Sequence, residues 1–141
     1  MRKCYCIFLF LISIATLRAE EFKIPTVTEF NAVMLNAIKV SKDQLWGSKV
    51  DNYTTLNAIT YDEKVPLFSY HYTTNVLQSL KQDVISQNQI DAMNKFHLGK
   101  TCDSKFQIFM KVYGLKIKHF FTDAVSGKRV YEITISGKDC L

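Results

Sequence analysis

The chain has 141 residues, 48% of them hydrophobic, and carries a formal net charge of +5 at pH 7. This length suits one domain of ordinary size with a hydrophobic core of its own. Only five glycines and two prolines are present. The sequence therefore excludes a linker, a low-complexity tract or a repeat that would divide it into several units.

The first 19 residues have the layout of a secretory signal peptide. Arg2 and Lys3 give a positive start, an apolar run follows from Cys4 to Ile14, and Ala19 offers a small residue before Glu20. The apolar run is shorter than the about 20 residues that a membrane-spanning helix needs. The pattern predicts cleavage after Ala19, with Ser13-Ile14-Ala15 as a second candidate cleavage site. Retention as an uncleaved membrane anchor is the alternative.

Removal of this signal changes what the net charge implies. Three of the 18 basic residues lie in the signal, which has no acidic residue, so the mature chain has a net charge of only +2. The remaining lysines near Lys116 and Lys118 alternate with apolar residues, as on the solvent side of a half-buried strand. Residues 20–141 are therefore predicted to form a single exported domain, periplasmic or secreted, that binds no nucleic acid.

The front half of this domain indicates a helix and then a hairpin. Thr26 and Glu29 have the spacing of a capping box, and apolar residues at helical spacing predict a helix over 27–42. The segments 53–61 and 67–73 are rich in β-branched and aromatic residues and predict two antiparallel strands around a turn at 62–64.

One face of the second predicted strand carries three aromatic side chains, Phe68, Tyr70 and Tyr72. Such a face is normally part of the core. If it is uncovered, the tyrosines suit a surface that binds a partner or a ligand.

The back half repeats the pattern of helices followed by a hairpin. Residues 76–85 fit either an extension of the strand or the start of a helix. Ser86 and Gln89 have capping-box spacing and begin a second helix that Gly99 is expected to end. A third helix is predicted from a cap at Asp103 or Ser104 to a stop at Gly114. The last hairpin is predicted over 115–122 and 130–136.

Two of the four cysteines, Cys4 and Cys6, leave with the signal, and Cys102 and Cys140 remain. An even number of cysteines in an exported domain predicts a disulfide. The predicted fold is α+β, with a single antiparallel sheet of about four strands from two hairpins. About three helices pack on it, and one disulfide ties the start of the third helix to the end of the last strand.

Several of these segments resemble small uncharacterised exported proteins of bacteria. The similarity covers the runs 55–61 and 68–73, the pair Cys102-Asp103, the turn 123–127 and the terminal Asp139-Cys140. This chain has a longer turn at 123–127 than those proteins usually have. The resemblance implies a bacterial envelope location and an α+β fold, and it implies no activity.

The histidines are the main candidates for chemistry. His71 and His119 lie on predicted strands and would approach each other if the two hairpins were neighbours in one sheet, as in an acid–base or metal site. No HExxH, paired-cysteine or Gly-x-Ser-x-Gly pattern accompanies them. Structural histidines are the favoured interpretation, and neither a metal nor a cofactor is predicted.

Two classes of function remain. The favoured hypothesis is a non-catalytic envelope protein that binds a protein or a ligand, as an inhibitor, an immunity or exclusion factor or an assembly accessory does. The alternative is a small periplasmic enzyme of hydrolase type that uses His71 or His119. A concave pocket that gathers one of these histidines with an acidic residue would favour the enzyme.

Overall fold

The computed structural model describes residues 24–140, so the predicted signal, with Cys4 and Cys6, lies outside the described residues. The described helices are α1 (Val27–Leu45), α2 (Val76–Leu80), α3 (Gln87–Cys102) and α4 (Phe106–Tyr113). The described strands are β1 (Ser48–Lys49), β2 (Thr54–Asp62), β3 (Leu67–Thr74), β4 (Lys116–Asp123) and β5 (Arg129–Ile135). A 3-10 turn, Gly137–Cys140, follows β5.

These strands form one sheet in the order β1-β2-β3-β4-β5. Both predicted hairpins are present, but β3 pairs in parallel with β4. The α+β class is confirmed, whereas the sheet is mixed and five-stranded instead of antiparallel with about four strands. The reason is the connection between β3 and β4, which contains α2, α3 and α4 and returns the chain to the end at which β3 starts. The added strand, β1, is two residues long, too short to leave a sequence pattern.

The helices also differ in detail from the prediction, since the described residues contain four of them instead of three. The segment after β3 that fitted either a strand or a helix begins with the short helix α2. Thr26 and Ser86 both form the expected capping boxes. Gly99 lies inside α3, which continues to Cys102, whereas Gly114 ends α4 with φ at 66°. Glycine adopts this left-handed conformation without steric cost.

The three longer helices pack on the same face of the sheet. Alternate residues of each strand point to that face, since the side-chain period of a strand is two. The buried cluster draws on α1, β2, β3, α4, β4 and β5, namely Phe30, Met34, Leu56, Ile59, Phe68, Phe106, Met110, Leu115, Ile117 and Ile135. The opposite face of the sheet has no described helix on it.

Asp123 stabilises the long turn between β4 and β5. Its Oδ2 atom accepts a hydrogen bond from the N–H of Ser126 at 2.7 Å, and its Oδ1 atom accepts one from Nε2 of Gln78 at 2.8 Å. Because the hydrogen bonds from Gln78 and Ser126 favour the ionised carboxylate, the pKa of Asp123 falls to about 2. The same side chain thus holds α2 against the last hairpin.

A disulfide joins Cys102 to Cys140, whose Cα atoms are 5.2 Å apart, within the range that a bridge can span. Cys102 is the last residue of α3 and does not belong to the start of the third predicted helix. The bond therefore attaches the end of α3 to the turn that follows β5. Within residues 24–140, no helix is both long enough and apolar enough to cross a membrane.

Candidate partner-binding surface

The two long helices lie on the same face of the sheet, near its opposite edges. α1 packs on β2 and α3 packs on β5, while β3 lies between β2 and β4. Tyr70 and Tyr72 point from β3 towards the helix side and are only half-buried. We call the space above them, between α1 and α3, the trough.

The predicted aromatic face of β3 is therefore divided between the core and the trough. Phe68 is only 5% exposed and packs against Phe106 of α4, with 5.9 Å between the ring centroids. Tyr70 and Tyr72 lie farther along the strand, beyond this contact. Of the three residues singled out from the sequence, Phe68 belongs to the core, whereas Tyr70 and Tyr72 are partly exposed.

The floor of the trough is a set of stacked rings from adjacent strands. The register of β3 with β4 places Tyr70 beside His119 and Tyr72 beside Phe121. The ring centroids of these pairs are 5.1 Å and 4.5 Å apart, and both pairs are nearly parallel. The hydroxyl of Tyr72 is also hydrogen bonded to Nδ1 of His119 at 3.3 Å. These contacts restrain the floor in one conformation.

The walls of the trough carry exposed apolar side chains. Val33 and Val40 of α1 are 57% and 46% exposed, and Phe96 of α3 is 60% exposed. Helical spacing puts Val33 on the flank of α1 next to Phe30, which stacks on Tyr113 of α4. In the same way Phe96 lies on the flank of α3 away from β5. Apolar groups thus remain open to solvent on both sides of the tyrosines.

His97 and His119 meet beneath α3, beside the trough. Their ring centroids are 4.2 Å apart, and His97 also lies 5.6 Å from Phe121. Burial lowers the pKa of His97 to about 4. Burial, with a smaller effect from His97, lowers the pKa of His119 to about 3. Both rings are therefore neutral at pH 7 and act as packing groups.

His71 lies on the opposite face of the sheet from His119, although their strands are neighbours. The register places His71 beside Phe120, and its Nε2 atom is 3.1 Å from Oγ1 of Thr60. Burial and the nearby ammonium of Lys118 lower the pKa of His71. The two histidines therefore do not share a site.

A shallow depression of about 310 Å³ surrounds His71 and includes Asp62, Ser69 and Lys118. The Oδ1 atom of Asp62 accepts a hydrogen bond from the N–H of Lys64, so this carboxylate is directed to the turn after β2. Among residues 24–140, no group of three His, Cys, Asp or Glu side chains is arranged to hold a metal ion.

Sequence analysis did not single out His97. A signal was nevertheless present, because Ile90, His97 and Thr101 follow one another at helical spacing on the face that α3 turns to the sheet. The adjacent Phe96 is exposed. The more apolar of two adjacent residues was not the buried one.

Comparison with known proteins identifies solved structures that share this fold. No protein-family model matches the sequence, and a search of curated proteins found no match. A Pseudomonas aeruginosa protein described as a candidate secreted protein shares the fold, with a TM-score of 0.65, 10% identity, and coverage of 84% of this chain and 100% of that chain. EpsS, the pilotin of the Vibrio vulnificus type 2 secretion system, matches with a TM-score of 0.60, 11% identity, and coverage of 81% and 94%. At such identities the likeness establishes the fold alone.

Proposed function

We propose that this protein is a non-catalytic accessory protein of the bacterial envelope, and that it binds a protein component of a secretion apparatus in the trough. The observation that carries the proposal is the set of exposed apolar side chains on the two helices that flank Tyr70 and Tyr72, namely Val33, Val40 and Phe96. It is supported by a fold shared with a pilotin over 94% of that chain.

Export is part of the proposal. We infer that residues 1–19 are removed and that residues 20–141 act as one domain outside the cytoplasm. The support is the disulfide between Cys102 and Cys140, because such bonds persist in oxidising compartments and are rare in the cytosol.

The shape and chemistry of the trough favour a protein partner over a small ligand. Exposed apolar patches rimmed by polar groups are typical of protein-binding sites. Tyrosine is enriched in such sites because its ring is apolar and its hydroxyl forms hydrogen bonds. An amphipathic helix that lies in an apolar groove is one recurring way in which such a surface is filled.

The experiment is capture of envelope proteins by the mature chain, compared among three variants. Val33→Asp and Phe96→Asp each place a charge on one wall of the trough, and both positions are exposed enough for the fold to tolerate it. Val84→Asp is the matched control, since Val84 is 75% exposed and lies between α2 and α3. A partner retained by the wild type and by the control, but lost by both wall variants, supports the proposal.

The captured partner is then purified and its affinity for each variant is measured by calorimetry. We expect each wall variant to weaken binding at least tenfold, because a buried unpaired charge costs more than about 1.4 kcal/mol. Equal affinity of the wall variants and the control would contradict the proposal.

Two observations favour the enzyme hypothesis: the shallow depression on the other face of the sheet is lined by both His71 and Asp62, and His71 contacts Thr60 there. None of the described hydrogen bonds joins His71 or His119 to a carboxylate, and the burial of His119 separates it from any substrate. Replacement of both histidines by Gln is therefore expected to leave partner binding intact. A hydrolytic activity lost in a folded His71→Gln variant would instead favour the enzyme.

A further inference from the structure

The outer edge of β5 forms a second surface, separate from the trough. Within residues 24–140, β5 pairs only with β4 and forms one border of the sheet. The other border, β1, is only two residues long, whereas β5 has seven residues and contains neither proline nor glycine. Short strands, prolines and bulges are the usual protection of a sheet edge. The middle of β5 has none of these.

Hydrogen bonds at the end of β4 show which groups of β5 face outwards. The N–H of Ala124 donates to the carbonyl of Thr74, on the β3 side, and the N–H of Asp123 donates to the carbonyl of Lys128, on the β5 side. Because main-chain groups alternate in direction along a strand, the odd-numbered residues of β4 bond to β5.

The register then assigns the residues of β5. Tyr131, Ile133 and Ile135 lie opposite odd-numbered residues of β4, so their main-chain groups point into the sheet. Glu132 and Thr134 must direct their N–H and C=O groups away from it. These two residues form an open ladder that another strand can extend.

A depression of about 340 Å³ lies beside this edge on the helix side, and Leu98, Ile133 and Ile135 contribute to its lining. A strand added along β5 would place every second side chain over it. The edge therefore offers both main-chain hydrogen bonds and a space for an apolar side chain.

We propose that this edge joins two copies of the chain through antiparallel pairing of β5 with β5, about a two-fold axis at Ile133. In this register Glu132 of each copy lies opposite Thr134 of the other, and each such pair exchanges two hydrogen bonds. Ile133 lies opposite Ile133 of the second copy, and each side chain enters the depression beside Leu98. The contact is isologous, so it closes at two copies.

Charge distinguishes this register from its neighbour. Pairing about Glu132 would set two carboxylates directly opposite each other, which is unfavourable. In the proposed register Glu132 faces a threonine. Its carboxylate remains bound to Lys118 at 3.3 Å and to Arg129 at 3.1 Å on the other face of the sheet. The edge is therefore self-complementary in hydrogen bonds and apolar contact, and this register does not place Glu132 opposite a second carboxylate.

A cysteine scan of the mature chain tests both the contact and its register. Ile133→Cys brings two thiols together across the axis, where the Cα atoms of a non-hydrogen-bonded pair are about 4.5 Å apart. We expect a covalent dimer under mild oxidation. Thr134→Cys is the matched control. In the proposed register, the Cα atoms of residue 134 in the two copies are farther apart than the about 7 Å that a disulfide can span. Peptide mapping excludes exchange with Cys102 and Cys140.

Sedimentation provides the second readout. The wild type is expected to show a reversible monomer–dimer equilibrium, and Thr134→Pro is expected to be a folded monomer because it removes an N–H that points out of the sheet. A wild type that stays monomeric up to its solubility limit overturns the proposal. A dimer that Thr134→Pro leaves unchanged, or that cross-links at 134 instead of 133, also overturns it. This inference is independent of the trough, so loss of partner binding in the wall variants has no bearing on it.

Discussion

The imidazole ring of His97, on α3, packs in a tilted arrangement against that of His119, on β4, with 4.2 Å between the centroids and 32° between the planes. This contact is the place where α3 is attached to the middle of the sheet. The pKa values of about 4 and 3 mean that neither ring carries a charge in the folded protein at pH 7. Their packing therefore depends on pH.

We predict that stability falls as the pH is lowered from about 6.5 towards 4. In the unfolded chain both imidazoles take up protons near pH 6.5, whereas in the folded protein they do so only near their lowered pKa values. Between these limits, each ring lowers the free energy of unfolding by about 1.4 kcal/mol for every unit by which the pH falls. Urea denaturation at pH 7.5, 6 and 5 measures the slope. His97→Phe is expected to reduce it by about half, and an unchanged slope would contradict this assignment.

Replacement of a glycine by alanine is predicted to change the stability in opposite directions at two positions. Gly99 lies inside α3, and the Cβ atom added by Gly99→Ala would have nothing within 4 Å of it. We therefore expect this substitution to stabilise the protein by about 0.5–1 kcal/mol. Gly114→Ala places a side chain at φ 66°, so we expect destabilisation of about 1–2 kcal/mol. Chemical denaturation of the two variants compares them directly, and a shift of the same sign in both would refute the prediction.

The disulfide is predicted to supply a large share of the stability. The loop that it closes has a sequence separation of 38 residues, for which the chain-entropy estimate is about 4 kcal/mol. The double variant Cys102→Ala/Cys140→Ala and the reduced wild type should lose similar amounts in urea denaturation. A loss in the variant that greatly exceeds the loss on reduction would mean that packing of the cysteines matters more than the covalent link.

The divided face of β3 gives a further prediction. Phe68→Ala is expected to cost about 3–5 kcal/mol, as removal of a buried phenylalanine does. Tyr70→Ala should cost less, because part of the ring is already in contact with solvent in the folded protein. Equilibrium unfolding of both variants measures the difference. If Tyr70→Ala lowers the free energy of unfolding as much as Phe68→Ala does, Tyr70 belongs to the core and does not form the floor of the trough.

Local signals in the sequence were sufficient where the structure depends on neighbouring residues. Thr26 and Ser86 begin their helices through contacts with residues three positions later, and each hairpin joins two strands that follow each other directly in the chain. Gly99 shows the limit of such reasoning. A glycine is compatible with a helix end, but α3 continues because Thr101, two residues later, is buried in the fold.

The candidate site was only partly predictable, because local sequence patterns do not show which distant segments pack on a strand. Alternation placed Phe68, Tyr70 and Tyr72 on one face of β3, and this assignment agrees with the structure. Which of them α4 covers depends on how the chain returns from α3, and no periodicity encodes that path. In the register of β3 with β4, His119 lies beside Tyr70 and His71 lies beside Phe120. Because side chains alternate between the two faces along a strand, this one-residue difference puts His71 and His119 on opposite faces of the sheet.

The sequence by itself determined the α+β class, the two hairpins, the capped helices and the two cysteines of the disulfide, because each depends on contacts over a few residues or on the count of cysteines. Only the tertiary structure decided that β3 and β4 run parallel, that His97 packs on His119, and that Phe68 is buried while Tyr70 and Tyr72 are only partly buried. These features depend on which distant segments compete to bury the same apolar surface. That competition is settled by the packing of the whole chain.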